Sequence, residues 1–236
     1  MQIIGHRGAR HEAPENTLGG FKYLRNLGIR TVEFDVRQLP DGTLFVMHDD
    51  NFLRTTGIEA SIAEQDTTSI QQFDHRSHWN DWHQAEPTPL LNEVLQVLED
   101  FDHIEVEIKT VKDNASAERL VETLHHQLED FQHMATITSF DEKILAALQN
   151  AKSPFKRGLL VESQAEIAID KALNYDCQRI GWMNQLATKQ RIQDTLAENL
   201  AVSVWTVNDV DRAKQLQDFG VQGLITDLPK LMQQQL

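Results

Sequence analysis

The chain has 236 residues, 40% of them apolar and 25% charged, a composition that supplies a sizeable core and excludes an extended disordered chain. Against 22 basic residues stand 36 acidic ones, a formal net charge of −14, and nucleic acid is excluded as the expected partner because gripping a phosphate backbone takes a broad Lys/Arg face. No apolar run approaches the ~18 residues of a membrane span, and the start MQIIGHRGAR lacks a basic segment followed by a secretory apolar core, so a cytoplasmic protein without stable membrane association is expected. The single cysteine, Cys177, rules out an intrachain disulfide and a cysteine-cluster metal site, and it reads as a small buried hydrophobe.

A short apolar strand at Ile3-Ile4 runs straight into a basic, glycine-bearing and proline-broken loop, GHRGARHEAPENT. An amphipathic helix over Thr17–Leu27, stopped by Gly28, and a strand over Thr31–Arg37 follow. The rhythm then breaks. Gln38–Pro89 holds a hairpin signal at Pro40-Asp41-Gly42, a returning strand Thr43–Met47, and the tryptophan-rich piece HWNDWHQAEPTP. An excursion of this length reads as a functional loop or small subdomain over about residues 50–88. Beyond it, helices are expected at Leu90–Leu98, Ala115–Leu128, Glu142–Leu148, Ala165–Leu173, Lys189–Leu196 and Val210–Phe219, the last stopped by Gly220. Between them fall strands at Ile104–Lys109, Thr136–Phe140, Gly158–Val161, Arg179–Trp182, Ala201–Val207 and Gly223–Thr226. Eight strands alternating with helices imply right-handed βαβ units and a parallel sheet. The expected fold is therefore α/β, a (β/α)8 TIM barrel forming one domain over residues 1–236 with a small insertion after strand 2. An open doubly wound sheet is the alternative. The terminal MQQQL reads as a frayed tail.

The chemistry concentrates on two strands. In TVEFDV, Val32, Phe34 and Val36 alternate with Glu33 and Asp35, and in Ile104–Lys109 the apolar residues alternate with Glu107 and Lys109. Period two places each acidic set on one face. In a barrel that face points inward, where unpaired charge is costly. Glu33, Asp35 and Glu107 then form a hard, oxygen-rich site suited to one divalent cation, Mg²⁺ or Ca²⁺, rather than zinc. A two-residue turn at Asp41-Gly42 would set His48 opposite Asp35, and a three-residue turn shifts that register by one; both return His48 to the acidic pair. His6 and Arg7 end the first strand, at the edge where barrel active sites form. Arg7 offers a bidentate fork for phosphate and Lys109 a second cation. Two imidazoles, a dication and two cationic side chains are what phosphodiester cleavage requires.

His6-Arg7-Gly8, Pro14-Glu-Asn-Thr17, Glu33-Phe-Asp-Val36, Asp41-Gly42 and Val46-Met-His-Asp49 recur in order with Arg54-Thr-Thr56, Glu105–Lys109, Val204-Trp-Thr-Val-Asn208 and Thr226-Asp-Leu-Pro229. By this ordered set, spanning nearly the whole chain, the sequence resembles the glycerophosphodiester phosphodiesterases, which belong to the phospholipase-C-like barrel group. The resemblance implies metal-dependent hydrolysis of small glycerophosphodiesters, such as glycerophosphocholine or glycerophosphoethanolamine, to glycerol 3-phosphate and an alcohol, within glycerol and lipid metabolism. It implies His6 and His48 as the acid/base pair, Glu33, Asp35 and Glu107 as metal ligands, and Arg7 and Lys109 as phosphate-holding residues. It further implies Trp205 as a pocket wall and Glu15 and Asn16 as supporting residues. The implied route has one histidine deprotonate the glycerol 2-hydroxyl, which attacks phosphorus while the other protonates the departing alcohol. A cyclic phosphate then opens with the roles reversed.

Residues outside this scheme have plainer expected roles. Arg10, His11 and Glu12 read as solvent-facing, and Asp227 as a structural end to the last strand that caps the helix around Lys230. His75, His78 and His83, clustered with Trp79 and Trp82, fit no strong metal motif. They read as a subdomain packing on its own tryptophans, with a substrate lid as the alternative. Two other functions compete. A lysophospholipid-cleaving enzyme would need Phe52, Leu53, Trp79 and Trp82 exposed together, and a non-catalytic phosphate-binding barrel would have no use for both histidines and three carboxylates.

Overall fold

Eight parallel strands close on themselves in the computed structural model, which describes residues 1–236. They are β1 (Gln2–His6), β2 (Thr31–Gln38), β4 (His103–Ile108), β5 (Ala135–Ser139), β6 (Lys156–Val161), β7 (Arg179–Met183), β8 (Ala201–Trp205) and β9 (Gly223–Thr226). Each pairs with the next, and β9 returns to β1 through Ile3–Leu224 and its neighbours, so the sheet is a (β/α)8 barrel and not an open one. The principal helices between strands are α1 (Leu18–Asn26), α4 (Leu91–Val97), α5 (Asn114–Gln127), α6 (Glu142–Asn150), α7 (Ala168–Asn174), α8 (Lys189–Ala197) and α9 (Val210–Phe219), with α10 (Pro229–Gln235) closing the chain. No helix is long and apolar enough to cross a membrane.

The alternation in the strands decides which face is oily. Val32, Phe34, Val36, Ile104, Val106 and Ile108 point outward into a 28-residue apolar cluster shared with α1, α4, α5 and α6. A second cluster of 20 residues packs β6–β9 against the later helices. Cys177 lies buried within it, and burial pushes its thiol up to about 12. Thr17 starts α1 by accepting a hydrogen bond from Gly20 N at 3.0 Å, and Gly220 ends α9 with φ of 96°. The expected helix from Ala165 begins instead as a 3₁₀ turn, Ala165–Ile167. Strand β8 stops at Trp205, two residues short of the expected Val207, which packs in the outer core.

The lower interior of the barrel is polar. Glu105, fully buried, pairs with Arg179 Nη1 of β7 at 2.9 Å, with His103 Nε2 at 3.5 Å and Ser203 Oγ at 3.5 Å alongside. Room for the guanidinium comes from an inward strand position with no side chain, since a Cβ at Gly223 would lie 3.1 Å from Arg179 Nη1. Leaving such a charge unpaired costs several kcal/mol, about 3–5 when one partner is removed. The polar layer is therefore a structural floor under the site.

A ninth strand, the antiparallel β3 (Leu44–Val46), joins β2 where β1 has ended: β1 pairs as far as His6–Glu33, and β3 takes Val36–Gln38. Leu39 N donates to Thr43 O at 2.9 Å and Gly42 has φ of 95°, so the loop is the three-residue one, Pro40-Asp41-Gly42. Val36 faces Val46, Met47 N donates to Asp35 O at 3.0 Å, and His48 falls one position beyond the pairing with Asp35. The following insertion carries α2 (Leu53–Thr56) and α3 (Thr67–Ile70) over a small core of Leu39, Phe45, Met47, Phe52 and Ile70. Trp79 and Trp82 meet edge to face at 6.4 Å. Trp82 Nε1 donates to Glu86 at 2.8 Å, whose other oxygen accepts from Gly19 N at 2.9 Å and ties the insertion to α1. His75 is buried between the Thr55 and Thr88 hydroxyls, at 2.9 and 2.8 Å. Phe52 is fully buried, so it makes no exposed apolar patch with Leu53, Trp79 and Trp82.

Candidate active site

At the end of β1 the chain reverses within two residues, Arg7 at φ of 50° and Gly8 at φ of 90°. A left-handed arginine is an unfavourable backbone state, and it is held by Arg7 N donating to Glu33 Oε2 at 3.2 Å and by Asn16 N donating to Arg7 O at 2.9 Å. Strand register does the rest. His6 lies opposite Glu33, and Asp35 opposite Glu107, so adjacent strands deliver these side chains to the same barrel mouth.

Oxygens of Glu33, Asp35 and Glu107 lie within 4.8 Å of one another, and all three residues are buried. Burial, reinforced by the charges of Asp35 and Glu107, pushes Glu33 well above the usual carboxylate range. Burial and Asp35 push Glu107 up to about 7. Asp35 goes the other way: burial would raise it, but Arg7 Nε at 3.2 Å and Lys109 Nζ at 2.6 Å outweigh that and hold it low. The Asn16 amide donates to Asp35 Oδ2 at 2.8 Å, while Lys109 also contacts Glu107. Glu33 Oε1 is buried with no hydrogen-bond partner. An orphaned carboxylate oxygen within a hard-oxygen cluster fits a divalent cation.

The two histidines differ. His6 Nδ1 lies 2.6 Å from Asp227 Oδ1, and its Nε2 lies 3.9 Å from Glu33 Oε2. Burial lowers the His6 pKa, against the hydrogen bond to Asp227. For Asp227 burial is outweighed by that same bond and by the charge of His6, and its pKa falls to about 2. Asn208 Nδ2 donates to the other Asp227 oxygen at 2.7 Å. His48, half-exposed, has Nδ1 2.7 Å from Asp49 Oδ1. Its carbonyl accepts from Arg37 Nε at 3.0 Å and Nη2 at 2.6 Å, and Asp49 is itself pinned by Arg54 Nε at 2.6 Å.

Several positions depart from the sequence reading. Asp227 does not cap the last helix; it holds His6. The cap comes from Glu12, expected in solvent, whose carboxylate accepts from Lys230 N at 3.1 Å and Leu231 N at 3.4 Å. Arg10 was also expected in solvent, yet it lines the site cavity and donates to Glu15 Oε2 at 3.2 Å. His11 is exposed as expected. Glu15 clasps Arg7 at 2.8 Å and Arg54 at 2.7 Å besides Arg10; Arg54 and Arg7 overcome its burial and hold its pKa to about 2. Glu15 thus orders arginines and Asn16 orders Asp35. Trp205 forms part of the wall, its Nε1 donating to Gly181 O at 2.9 Å and its ring edge to face with Phe140 at 5.4 Å. The cavity so enclosed, about 290 Å³, touches His6, Arg7, Glu33, His48, Glu107, Lys109 and Trp205. Position could have flagged Asp227, because it directly follows the last barrel strand at the mouth where such sites form. His75, His78 and His83 form no metal-holding group.

Guanidinium, ammonium and clustered carboxylate groups around a small cavity at the C-terminal mouth of a barrel mark a hydrolase of small phosphate esters. Residues 6–231 match the model of the Glycerophosphoryl diester phosphodiesterase family, and the chain belongs to that family. It is 26% identical over 233 residues to the glycerophosphodiester phosphodiesterase of Caldanaerobacter subterraneus subsp. tengcongensis, covering 98% of this chain and 95% of that one. It is 24% identical to the corresponding Bacillus altitudinis enzyme over 97% of this chain and 95% of the other. A phosphodiesterase from Oleispira antarctica, solved in complex with the product sn-glycerol-3-phosphate, has the same fold with a TM-score of 0.87 at 24% identity, covering 99% and 96% of the two chains.

Proposed function

We propose that the protein hydrolyses small glycerophosphodiesters to sn-glycerol 3-phosphate and an alcohol, with His6 and His48 moving the protons beside a divalent cation held by Glu33, Asp35 and Glu107. The observation that carries this reading is that one small cavity holds His6, whose Nε2 lies 3.9 Å from Glu33 Oε2, together with Glu33, whose other oxygen is orphaned. When bound, the cation supplies charge neutralisation for the phosphate oxygens. Arg7 and Lys109, which line the same cavity, add positive charge there, and Trp205 limits the space open to the glycerol arm.

His6 is the better first base. Burial favours its neutral form, and Asp227 accepts the Nδ1 proton, leaving the Nε2 lone pair free. Nε2 takes the proton from the glycerol 2-hydroxyl, whose oxygen bonds to phosphorus as the bond to the departing alcohol breaks. His48, steadied through Asp49, gives that alcohol its proton. Water then adds to the cyclic phosphate, losing a proton to His48, while His6 returns its proton to the 2-oxygen. A substrate with its 2-hydroxyl methylated should be inert.

The test is release of glycerol 3-phosphate from glycerophosphocholine and glycerophosphoethanolamine by chelator-treated protein with and without added Mg²⁺ or Ca²⁺. Glu33→Gln should raise the cation concentration needed for half-maximal activity about tenfold or more, within the range for weakening a ligand sphere. Full activity in excess chelator, or equal turnover of the 2-O-methyl analogue, would reject the corresponding part of this mechanism.

A further inference from the structure

A second opening on the molecule is larger than the cavity just described. A groove of about 750 Å³ begins at Lys109 and runs outward between the β2–β3 turn, Ser61 with the start of the 3₁₀ turn Ile62–Glu64, and helix α5. Lys109 lines both spaces. A phosphodiester held at the barrel mouth has two arms, and the smaller cavity has room for glycerol and phosphate. The groove leads away from the same lysine.

Its charge runs against that of the chain. Four basic residues line it, Arg37, Lys109, Lys112 and Arg119, against three acidic ones, Asp41, Asp50 and Glu122, whereas the chain as a whole carries 36 acidic and 22 basic residues. Arg37, Lys112 and Arg119 have no carboxylate oxygen within 4.0 Å of their charged nitrogens. Arg37 donates only to the His48 carbonyl, and Arg119 only to Ser116 Oγ at 3.2 Å. Two of the acidic residues are already engaged, Asp41 by Thr43 N at 2.9 Å and Asp50 by the Asn51 amide at 2.8 Å.

Building on the phosphodiesterase reading, we propose that this groove is the subsite for the departing alcohol, and that it selects alcohols carrying a second anionic group, such as another phosphate diester, over neutral or cationic head groups. Arg37 stands beside the histidine that protonates the alcohol, and Lys112 and Arg119 lie farther along α5 and its leading loop. An anion several bonds beyond the scissile phosphate would meet these cations while the first phosphate stays with Arg7.

Two substrates with the same departing hydroxyl test this: glycerophosphoglycerol, whose alcohol is plain glycerol, and bis(glycerophospho)glycerol, whose alcohol bears a second phosphodiester. After correction for two equivalent diesters, the wild type should favour the second by about tenfold in kcat/KM, a factor in the range of a few half-exposed charge contacts. Lys112→Ala/Arg119→Ala should bring that preference to about twofold and leave glycerophosphoglycerol turnover unchanged, and about 0.5 M salt should erode the wild-type preference through screening. No preference in the wild type, or one that the double variant and salt leave intact, overturns the subsite. Failure to turn over either substrate removes the phosphodiesterase reading itself, and the subsite with it.

Discussion

Asp227→Asn is an isosteric change that the hydrogen-bond network turns into a specific defect. Asn208 Oδ1 is committed, accepting from Asp227 N at 2.9 Å and Thr226 Oγ1 at 3.0 Å, so its Nδ2 is a fixed donor aimed at residue 227 from 2.7 Å. The new amide must therefore give its oxygen to Asn208 and turn its NH₂ toward His6 Nδ1. That nitrogen then has to accept. The His6 proton moves to Nε2, the atom that in the proposed mechanism must be bare to take a proton from substrate. The shape of the cavity and the cation cluster are unchanged, so KM should move little, while kcat should fall by about 10²–10⁴, the usual span for a disabled general base. The assay is steady-state release of glycerol 3-phosphate, with thermal unfolding measured alongside to show that the fold survives. Adding Asn208→Ala removes the fixed donor, lets the amide present its oxygen to His6, and should recover part of kcat. A kcat within about threefold of wild type would refute the tautomer argument, because general-base contributions are not that small. A drop that Asn208→Ala only deepens would also refute it.

Two further outcomes test the scaffold. Arg179→Met strands the buried Glu105 and should cost about 3–5 kcal/mol in urea unfolding; adding Glu105→Gln should restore more than half of it, whereas strict additivity would show that the pair is not coupled. His75, buried against Thr55 and Thr88, is held down to about 4 by desolvation, against an ordinary value of 6.5. As pH falls below 6.5 the unfolded chain binds the proton first, so stability present above that pH drains away down to about pH 4. At ~1.4 kcal/mol per unit the loss approaches ~3 kcal/mol. Melting curves of wild type and His75→Gln between pH 7 and 4.5 should diverge accordingly, and parallel curves would count against it.

What the sequence disclosed, and what it concealed, follows from the range over which residues interact. Glu33, Asp35 and Glu107 were legible because a period of two forces alternate residues of a strand to one face, and an acidic residue on the inner face of a barrel has few places to go except its mouth. His48 was legible only to within one residue. Its height depends on whether Pro40-Asp41-Gly42 closes as a two- or three-residue turn, and both are compatible with Asp-Gly. His6 and Asp227 stand 221 positions apart and meet because β9 closes onto β1, so neither local pattern nor spacing could pair them. The same closure brings Glu12 beneath the last helix and frees Asp227 from the capping role its neighbourhood suggested. Closure therefore does more than complete the core. It joins the first loop of the chain, with its histidine and arginine, to a carboxylate at the far end, and a barrel opened between β1 and β9 would retain the carboxylate cluster while losing the Asp227 contact on His6 Nδ1.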